Sequence, residues 1–129
     1  MDILDRYLRH TRLRQWADAL PLIEAMVDAE PDQATTWFDH GVCLDELGRH
    51  REAAAKFLEA YRLSPQDQGA QYRAFRSLAL AGEWAPLLDL AERECRRAPA
   101  LMDALLDDEL LGPVLERDEF AELRKTHGR

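Results

Sequence analysis

Cysteine and long apolar runs are both scarce in this chain of 129 residues. Two cysteines, Cys43 and Cys95, are too few and too far apart for a disulfide framework, which predicts reduced, buried thiols. No stretch approaches the ~18 consecutive apolar residues of a membrane span. The N-terminus carries Asp2 and Asp5 where a signal peptide would carry positive charge. We therefore expect a soluble, cytoplasmic protein.

Basic residues are fewer than acidic ones, at 17 against 25. The formal net charge is -8, and residues 101–123 alone hold eight acidic residues against one arginine. Binding to phosphates requires clustered lysine and arginine, and the chain has no basic stripe of that kind. An anionic membrane surface would repel such a protein for the same reason. The composition therefore predicts neither a nucleic-acid partner nor a membrane partner.

Residues that could carry catalysis are few and badly placed. The chain has two serines, Ser64 and Ser77, and neither lies in a Gly-x-Ser-x-Gly turn. Its six glycines are scattered, so no phosphate-binding loop is present. The carboxylates of residues 103–108 lack a histidine partner or a recognisable pocket, and a solvated acidic surface explains them better. We expect no enzyme activity and no cofactor.

The stretch WFDHGVCLDELGRH, residues 37–50, collects side chains that could bind a metal. His40 and Cys43 are three residues apart and would share one face of a helix, whereas His50 follows the expected turn at Gly48. No second Cys-x2-Cys or His-x3-His pair occurs in the chain. Packing residues are the favoured interpretation and no metal is predicted. A metal-dependent activity at His40 and Cys43 is the enzyme alternative.

Several residues recur at a spacing of 34. Pro31, Pro65 and Pro99 are 34 residues apart, as are Gly48 and Gly82. The same spacing joins further pairs of leucines and alanines, and twice that spacing joins two tryptophans: Leu13 and Leu47, Leu44 and Leu78, Ala19 and Ala53, and Trp16 and Trp84. Coincidences at one fixed period indicate a repeat protein.

The middle unit, residues 34–67, resembles the tetratricopeptide repeat. That family's pattern is W-x2-L-G-x2-Y, then A-x3-F, then P. The unit departs from it only at His40, where the pattern has Leu, and at Leu44, where it has Tyr. It keeps the family's residues at Trp37, Gly41, Gly48, Ala53, Phe57, Ala60 and Pro65.

The resemblance implies an all-α fold, a right-handed superhelix of three helix-turn-helix repeats. The repeats would span about 1–33, 34–67 and 68–99, with helices near 2–14, 16–29, 34–47, 50–63, 68–81 and 84–97. Each repeat buries its apolar face against a neighbour. Gly48 suits a left-handed helix C-cap, and Asp32 and Asp67 suit N-caps.

Residues 100–129 depart from the repeat pattern. We expect helices near 101–106 and 117–126, with a turn or 3₁₀ piece near 108–115. The spacing of apolar residues in this tail is similar to the ending found in bacterial members of the family, which implies a C-terminal helical cap. The tail's acidic surface would face water, or would dock a basic partner.

The resemblance also implies a function: a non-catalytic module, or adaptor, that binds another protein or peptide. In the family, the first helix of each repeat lines a concave groove, and a peptide or helical ligand lies there. By repeat position the groove would present Leu4, Leu8, Phe38, Asp39, Val42, Asp45, Glu46, Tyr72, Arg73, Arg76 and Leu80. These residues could instead pack against the tail or against a second copy, so self-association stays open.

A small dedicated chaperone for a secreted or assembly-prone client is the alternative to an adaptor. The groove that grips the C-terminal carboxylate of chaperones uses two asparagines, two lysines and an arginine. This chain has no asparagine, has Asp39 and Gly69 at two of those positions, and keeps only Arg73. Binding of such a carboxylate is not expected.

Overall fold

In the computed structural model, which describes residues 1–128, all regular structure is helical. This confirms the predicted all-α fold. The six predicted repeat helices agree with the observed ones to within two residues at each end. The helices are α1 Ile3–Arg12, α2 Trp16–Ala29, α3 Ala34–Glu46, α4 His50–Leu63, α5 Gln68–Leu80, α6 Trp84–Arg97, α7 Leu101–Asp107, α8 Leu111–Leu115 and α9 Ala121–His127, with a 3₁₀ turn at Asp118–Phe120.

The same turn closes the first helix of every 34-residue unit. Arg14, Gly48 and Gly82 all adopt positive φ, at 58°, 77° and 69°. In each turn the next residue donates its N–H to the carbonyl five residues earlier, as in the bond from Arg49 to Leu44, at 2.8 Å. Glycine reaches this conformation without strain, whereas a side chain with a Cβ does so at a cost of about 1 kcal/mol. Arg14 therefore keeps the turn but not its favoured residue.

The predicted N-caps have different outcomes. Asp67 caps α5, because its Oδ1 accepts hydrogen bonds from the N–H groups of Gly69 and Ala70 at 2.9 and 3.2 Å. The prediction for Asp32 is wrong. Helix α3 begins at Ala34, so the N-cap position belongs to Gln33, which makes no side-chain cap bond. A cap must immediately precede the first helical residue if its side chain is to reach the free N–H groups.

The chain forms two compact units, residues 1–77 and residues from 78 onward. The first unit contains α1 to α4 and most of α5. Helices α1, α2 and α3 share a buried core, to which α1 contributes one residue, α2 three and α3 one: Tyr7, Ala19, Leu22, Ile23 and Cys43. The Trp37 indole N–H donates to the Pro31 carbonyl at 2.7 Å, which ties α3 to the loop before it.

A glycine lies where helices α3 and α4 pack against each other. A Cβ on Gly41 would lie 2.8 to 2.9 Å from three atoms of the Phe57 ring. Phe57 is fully buried, so its ring has no space to withdraw. The glycine is needed here for close approach between the helices rather than for backbone conformation.

The second unit contains α6 and the tail. The Trp84 and Phe120 rings make an edge-to-face contact with centroids 6.4 Å apart, which packs the tail on α6. The Arg117 guanidinium covers the Trp84 ring at 4.3 Å, and the Arg124 guanidinium donates to the carbonyls of Leu115 and Arg117. These contacts order the tail within its unit, while its role as a cap for the third repeat stays a prediction.

Two parts of the tail differ from the prediction. Residues 111–115 form α8 rather than a turn or 3₁₀ piece. The 3₁₀ turn lies at 118–120, at the start of the helix expected near 117–126, so that α9 begins at Ala121. Asp108 lies three residues before α8, and its Oδ1 accepts from the N–H groups of Leu110 and Leu111, both at 2.9 Å, which holds the turn that leads into the helix. Pro113 lies in the first turn, where a helix does not need its missing N–H.

We expect Gly41→Ala to destabilise the protein by about 1 to 2 kcal/mol. The added methyl overpacks the Phe57 contact, which costs about 1 to 3 kcal/mol, and alanine's better helix propensity returns up to about 1 kcal/mol. Urea unfolding would measure the change. Phe57→Leu makes space beside residue 41, so the same substitution should cost less in that background. An equal cost in both backgrounds would contradict the contact.

Candidate protein-binding face

Helices α1, α3 and α5, the first helices of the three repeats, are neighbours in the first unit. Tyr7 of α1 shares a side-chain hydrogen bond with Cys43 of α3. Ser77 of α5 donates its hydroxyl to both carboxylate oxygens of Asp45 in α3, at 3.0 and 2.8 Å. Side-chain contacts therefore connect α3 to α1 on one side and to α5 on the other.

Exposed apolar side chains occur on the two outer helices of this trio. Leu4 and Leu8 on α1 are 47% and 44% exposed, and Tyr72 on α5 is 39% exposed. On α3 between them, Phe38 and Val42 are half-buried. We define the binding face as eight of the predicted groove residues of the first unit that reach solvent: Leu4, Leu8, Phe38, Asp39, Val42, Tyr72, Arg73 and Arg76.

The core holds Phe38 in place. Its ring meets the Phe57 ring edge-to-face, with centroids 5.2 Å apart and an interplanar angle of 67°. Since Phe57 is the residue that packs against Gly41, the contact that joins α3 to α4 also orients the aromatic side chain at the centre of the binding face. An orientation fixed before binding lowers the entropy cost of contact with a partner.

Asp39 places a partly buried carboxylate on the binding face. Burial raises the pKa of Asp39 above its ordinary value. Tyr7 and Cys43 lie close by: the pKa of Tyr7 is raised mainly by burial and then by the charge of Asp39. Burial likewise raises the pKa of Cys43 to about 11, so this thiol stays protonated and unreactive.

Asp45 is buried, and its carboxylate serves the fold. Besides the Ser77 hydroxyl, it contacts Nδ1 of His50 at 2.9 Å and the Arg76 guanidinium at 3.8 Å. Asp45 therefore does not reach the surface, although repeat position places it in the groove. Of the other predicted groove residues, Glu46 is exposed, and Leu80, in the second unit, is 38% exposed.

Sequence analysis missed this polar cluster of Asp45, His50, Ser77 and Arg76. The available signal was Ser77, a serine in an otherwise apolar part of α5. A buried hydroxyl needs an acceptor, and an acidic residue near the end of a neighbouring helix is a natural candidate. Its partner could not be identified, because Asp45 and Ser77 do not occupy equivalent positions in their repeats.

The side chains considered as metal ligands face different neighbours. Cys43 forms a hydrogen bond with Tyr7, and His50 forms one with Asp45. His40 lies near the charges of Lys56 and Arg49. Residues 1–128 contain no group of three or more histidine, cysteine or acidic side chains that could hold a metal ion.

The repeat geometry agrees with comparisons to known proteins. Residues 5–68 match the sequence model of the tetratricopeptide repeat. This chain is a tetratricopeptide repeat protein. Tetratricopeptide repeats form protein–protein interaction modules, and the face formed by α1, α3 and α5 belongs to such a module.

Two known proteins show the likeness. Superkiller protein 3 of Saccharomyces cerevisiae is 25% identical over 91 residues, which cover 70% of this chain but 6% of that protein. A solved structure, the MamA RS-1 ArsTM double mutant, is 24% identical with a TM-score of 0.70, over 95% of this chain and 66% of that one. The structural likeness supports the tetratricopeptide fold.

None of the helices within residues 1–128 combines the length and the apolar character that crossing a bilayer requires.

We expect Ser77→Ala to destabilise the protein by about 1 to 2 kcal/mol. The substitution removes a buried hydroxyl that donates to a carboxylate, a bond worth about 1.5 to 3 kcal/mol, while His50 and Arg76 still serve Asp45. Urea unfolding would measure it. The chain's other serine supplies the control: Ser64→Ala should change stability by less than about 0.5 kcal/mol. Equal effects at both serines would contradict the role of the cluster.

His40 should make folding sensitive to mild acid. It is buried, and within residues 1–128 its Nδ1 has no hydrogen-bond partner. Burial, followed by the charge of Lys56, lowers its pKa from 6.5 to about 4. The unfolded chain therefore binds more protons between these values. The stability that neutral His40 contributes is complete above pH 6.5 and is lost as the pH falls towards 4.

Through His40, the free energy of unfolding should be lower at pH 5 than at pH 7.5 by about 2 kcal/mol. His40→Leu restores the family's residue at this position and removes the titrating group. Urea unfolding at both pH values should therefore show a loss smaller by about that amount in the variant. His127→Leu, near the C-terminus, is the control and should keep the wild-type dependence. If wild type and His40→Leu lose stability equally, His40 is not the acid-sensitive group.

Proposed function

We propose that this protein is an adaptor without catalysis of its own, which works in the cytoplasm and binds a short segment of another protein on the binding face. The observation that carries the proposal is the exposure of Leu4, Leu8 and Tyr72 on helices that flank α3. Apolar side chains exposed together on one face commonly mark a protein interaction site. A tyrosine with Phe38 nearby supplies the rigid aromatic anchors that dominate binding energy.

The charges on the binding face indicate the chemistry of the ligand. Arg73 and Arg76 are half-exposed on α5 and would favour an acidic group at that side of the ligand. Asp39 on α3 is partly buried and its carboxylate is harder to ionise than usual. A ligand that covers Asp39 must supply a donor to it, since further burial of an unpaired carboxylate is costly. An amphipathic helix or extended segment with apolar residues and both charge signs fits these conditions.

The proposal can be tested by capturing partners from a native lysate of the source cells. The test variant is Leu4→Ser/Leu8→Ser/Tyr72→Ser, which removes exposed apolar area and leaves the Phe38–Phe57 contact intact. We expect it to lose captured partners by about 10-fold or more, since truncation of such anchors costs 2 kcal/mol or more. Quantitative mass spectrometry of the captured proteins measures the loss.

The control variant makes an equal number of changes outside the binding face: Leu13→Ser/Ala25→Ser/Ala55→Ser, at exposed positions. It should keep the wild-type partners. If the test variant is folded and keeps them too, the binding face is not the site. Co-expression with a captured protein then separates the two family subtypes, because a dedicated chaperone raises the soluble yield of its client and an adaptor does not.

A further inference from the structure

The exposed end of α1 combines apolar side chains with positive charge. Met1, Leu4 and Leu8 are 79%, 47% and 44% exposed. Residues 1–14 contain four arginines and two aspartates, a balance of +2 in a chain whose net charge is -8. Arg9 and Arg12 are exposed and border a shallow recess of about 490 Å³, whose other lining residues are Met1, Asp5 and Leu8.

The tail presents the opposite combination. Eight acidic residues and one arginine give residues 101–123 a balance of -7. Three apolar side chains spaced four residues apart, Leu106, Leu110 and Val114, are half-buried. The acidic residues Glu109 and Glu116 are exposed among them, and the Glu116 side chain keeps 68% of its surface in contact with solvent. We call these five residues, Leu106, Glu109, Leu110, Val114 and Glu116, the α7–α8 surface. They combine half-buried apolar side chains with negative charge, and Glu116 also lies 3.8 Å from the Arg124 guanidinium.

We propose that the α1 end of one copy docks on the α7–α8 surface of a second copy. Leu4, Leu8 and Met1 would pack against Leu106, Leu110 and Val114, while Arg9 and Arg12 would face Glu109 and Glu116. The inference rests on the proposed function, because it uses the α1 side of the same binding face. It names a second copy of this chain as the partner of the α1 side.

Charge complementarity favours the chain's own tail as the partner. Any ligand for the α1 end must carry negative charge beside apolar residues, and residues 101–123 account for nearly the whole net charge of the chain. The two surfaces differ from each other, so a pair of bound copies leaves one α1 end and one α7–α8 surface unfilled. Contacts of this head-to-tail kind continue into rings or filaments rather than stopping at a two-fold dimer.

Three variants test the contact by sedimentation velocity at low salt. The head variant is Arg9→Glu/Arg12→Glu, and the tail variant is Glu109→Lys/Glu116→Lys. Wild type should exceed the chain mass of 14.8 kDa increasingly as concentration rises. Each variant alone should associate at least about 10-fold more weakly, since like charges now face each other. The third variant, Glu24→Lys/Glu30→Lys on α2 and at its C-cap, matches the charge change of the tail variant and should associate as wild type does.

A mixture of the head and tail variants tests whether the two surfaces contact each other. An acidic α1 end then meets a basic α7–α8 surface, and the unchanged α1 end of the tail variant meets the unchanged surface of the head variant. The mixture should therefore regain the association that both components lack. Circular dichroism melting checks that each variant is folded. Should a variant fail to fold, unmodified protein should still dissociate as NaCl rises from about 50 mM to about 500 mM, because salt screens exposed charges.

Wild-type protein that stays at 14.8 kDa at all concentrations overturns the inference, as does undiminished association of the head and tail variants. A monomer whose melting temperature alone responds to the charge changes would indicate that the tail contacts α1 within one chain, which also overturns it. Tyr72→Ser lies outside α1 and should leave self-association unchanged. It should lose captured partners. If folded Tyr72→Ser keeps its partners, the proposed function has failed; if it loses self-association, the assignment of the contact to α1 has failed.

Discussion

The close approach of α3 to the Phe57 ring at Gly41 is the contact on which the first unit depends. Only a residue without a Cβ lets the ring lie against the α3 backbone. Phe57 then supports Phe38, whose ring lies 5.2 Å away at the surface. Core packing and the geometry of the binding face are therefore one arrangement, and a change at Gly41 should be felt in stability and in binding together.

Asp45 imposes a second, polar constraint. Burying a carboxylate is costly unless donors satisfy it, and here α4 supplies His50 while α5 supplies Ser77 and Arg76. Apolar contacts alone tolerate small shifts of one helix along another. Hydrogen bonds of 2.8 to 3.0 Å do not, so the cluster fixes the position of α5 against α3.

The limits of sequence-based prediction follow from the same contacts. Helix bounds were predictable because helical periodicity, glycine turns and prolines recur every 34 residues, and most of these signals are local. Arg14 shows that a turn can persist where its favoured glycine is missing. Asp45 shows the opposite limit. Repeat position places it in the groove, yet its side chain is buried, because Ser77 and His50 happen to be available as donors. Such pairings depend on side chains from several helices, which a repeat pattern does not specify.

Selectivity on the binding face should come from Asp39 more than from its apolar residues. Leucine, valine and phenylalanine accept many apolar ligands with similar free energy, so they supply affinity with little discrimination. Asp39 is already partly buried, and its raised pKa shows that its surroundings poorly stabilise the ionised form. A ligand without a donor would bury that carboxylate further and lose binding energy, whereas one with a well-placed lysine, arginine or amide N–H would relieve an existing cost. On the proposed function, the same residue would therefore disfavour purely apolar segments, which would limit indiscriminate association of an exposed apolar face.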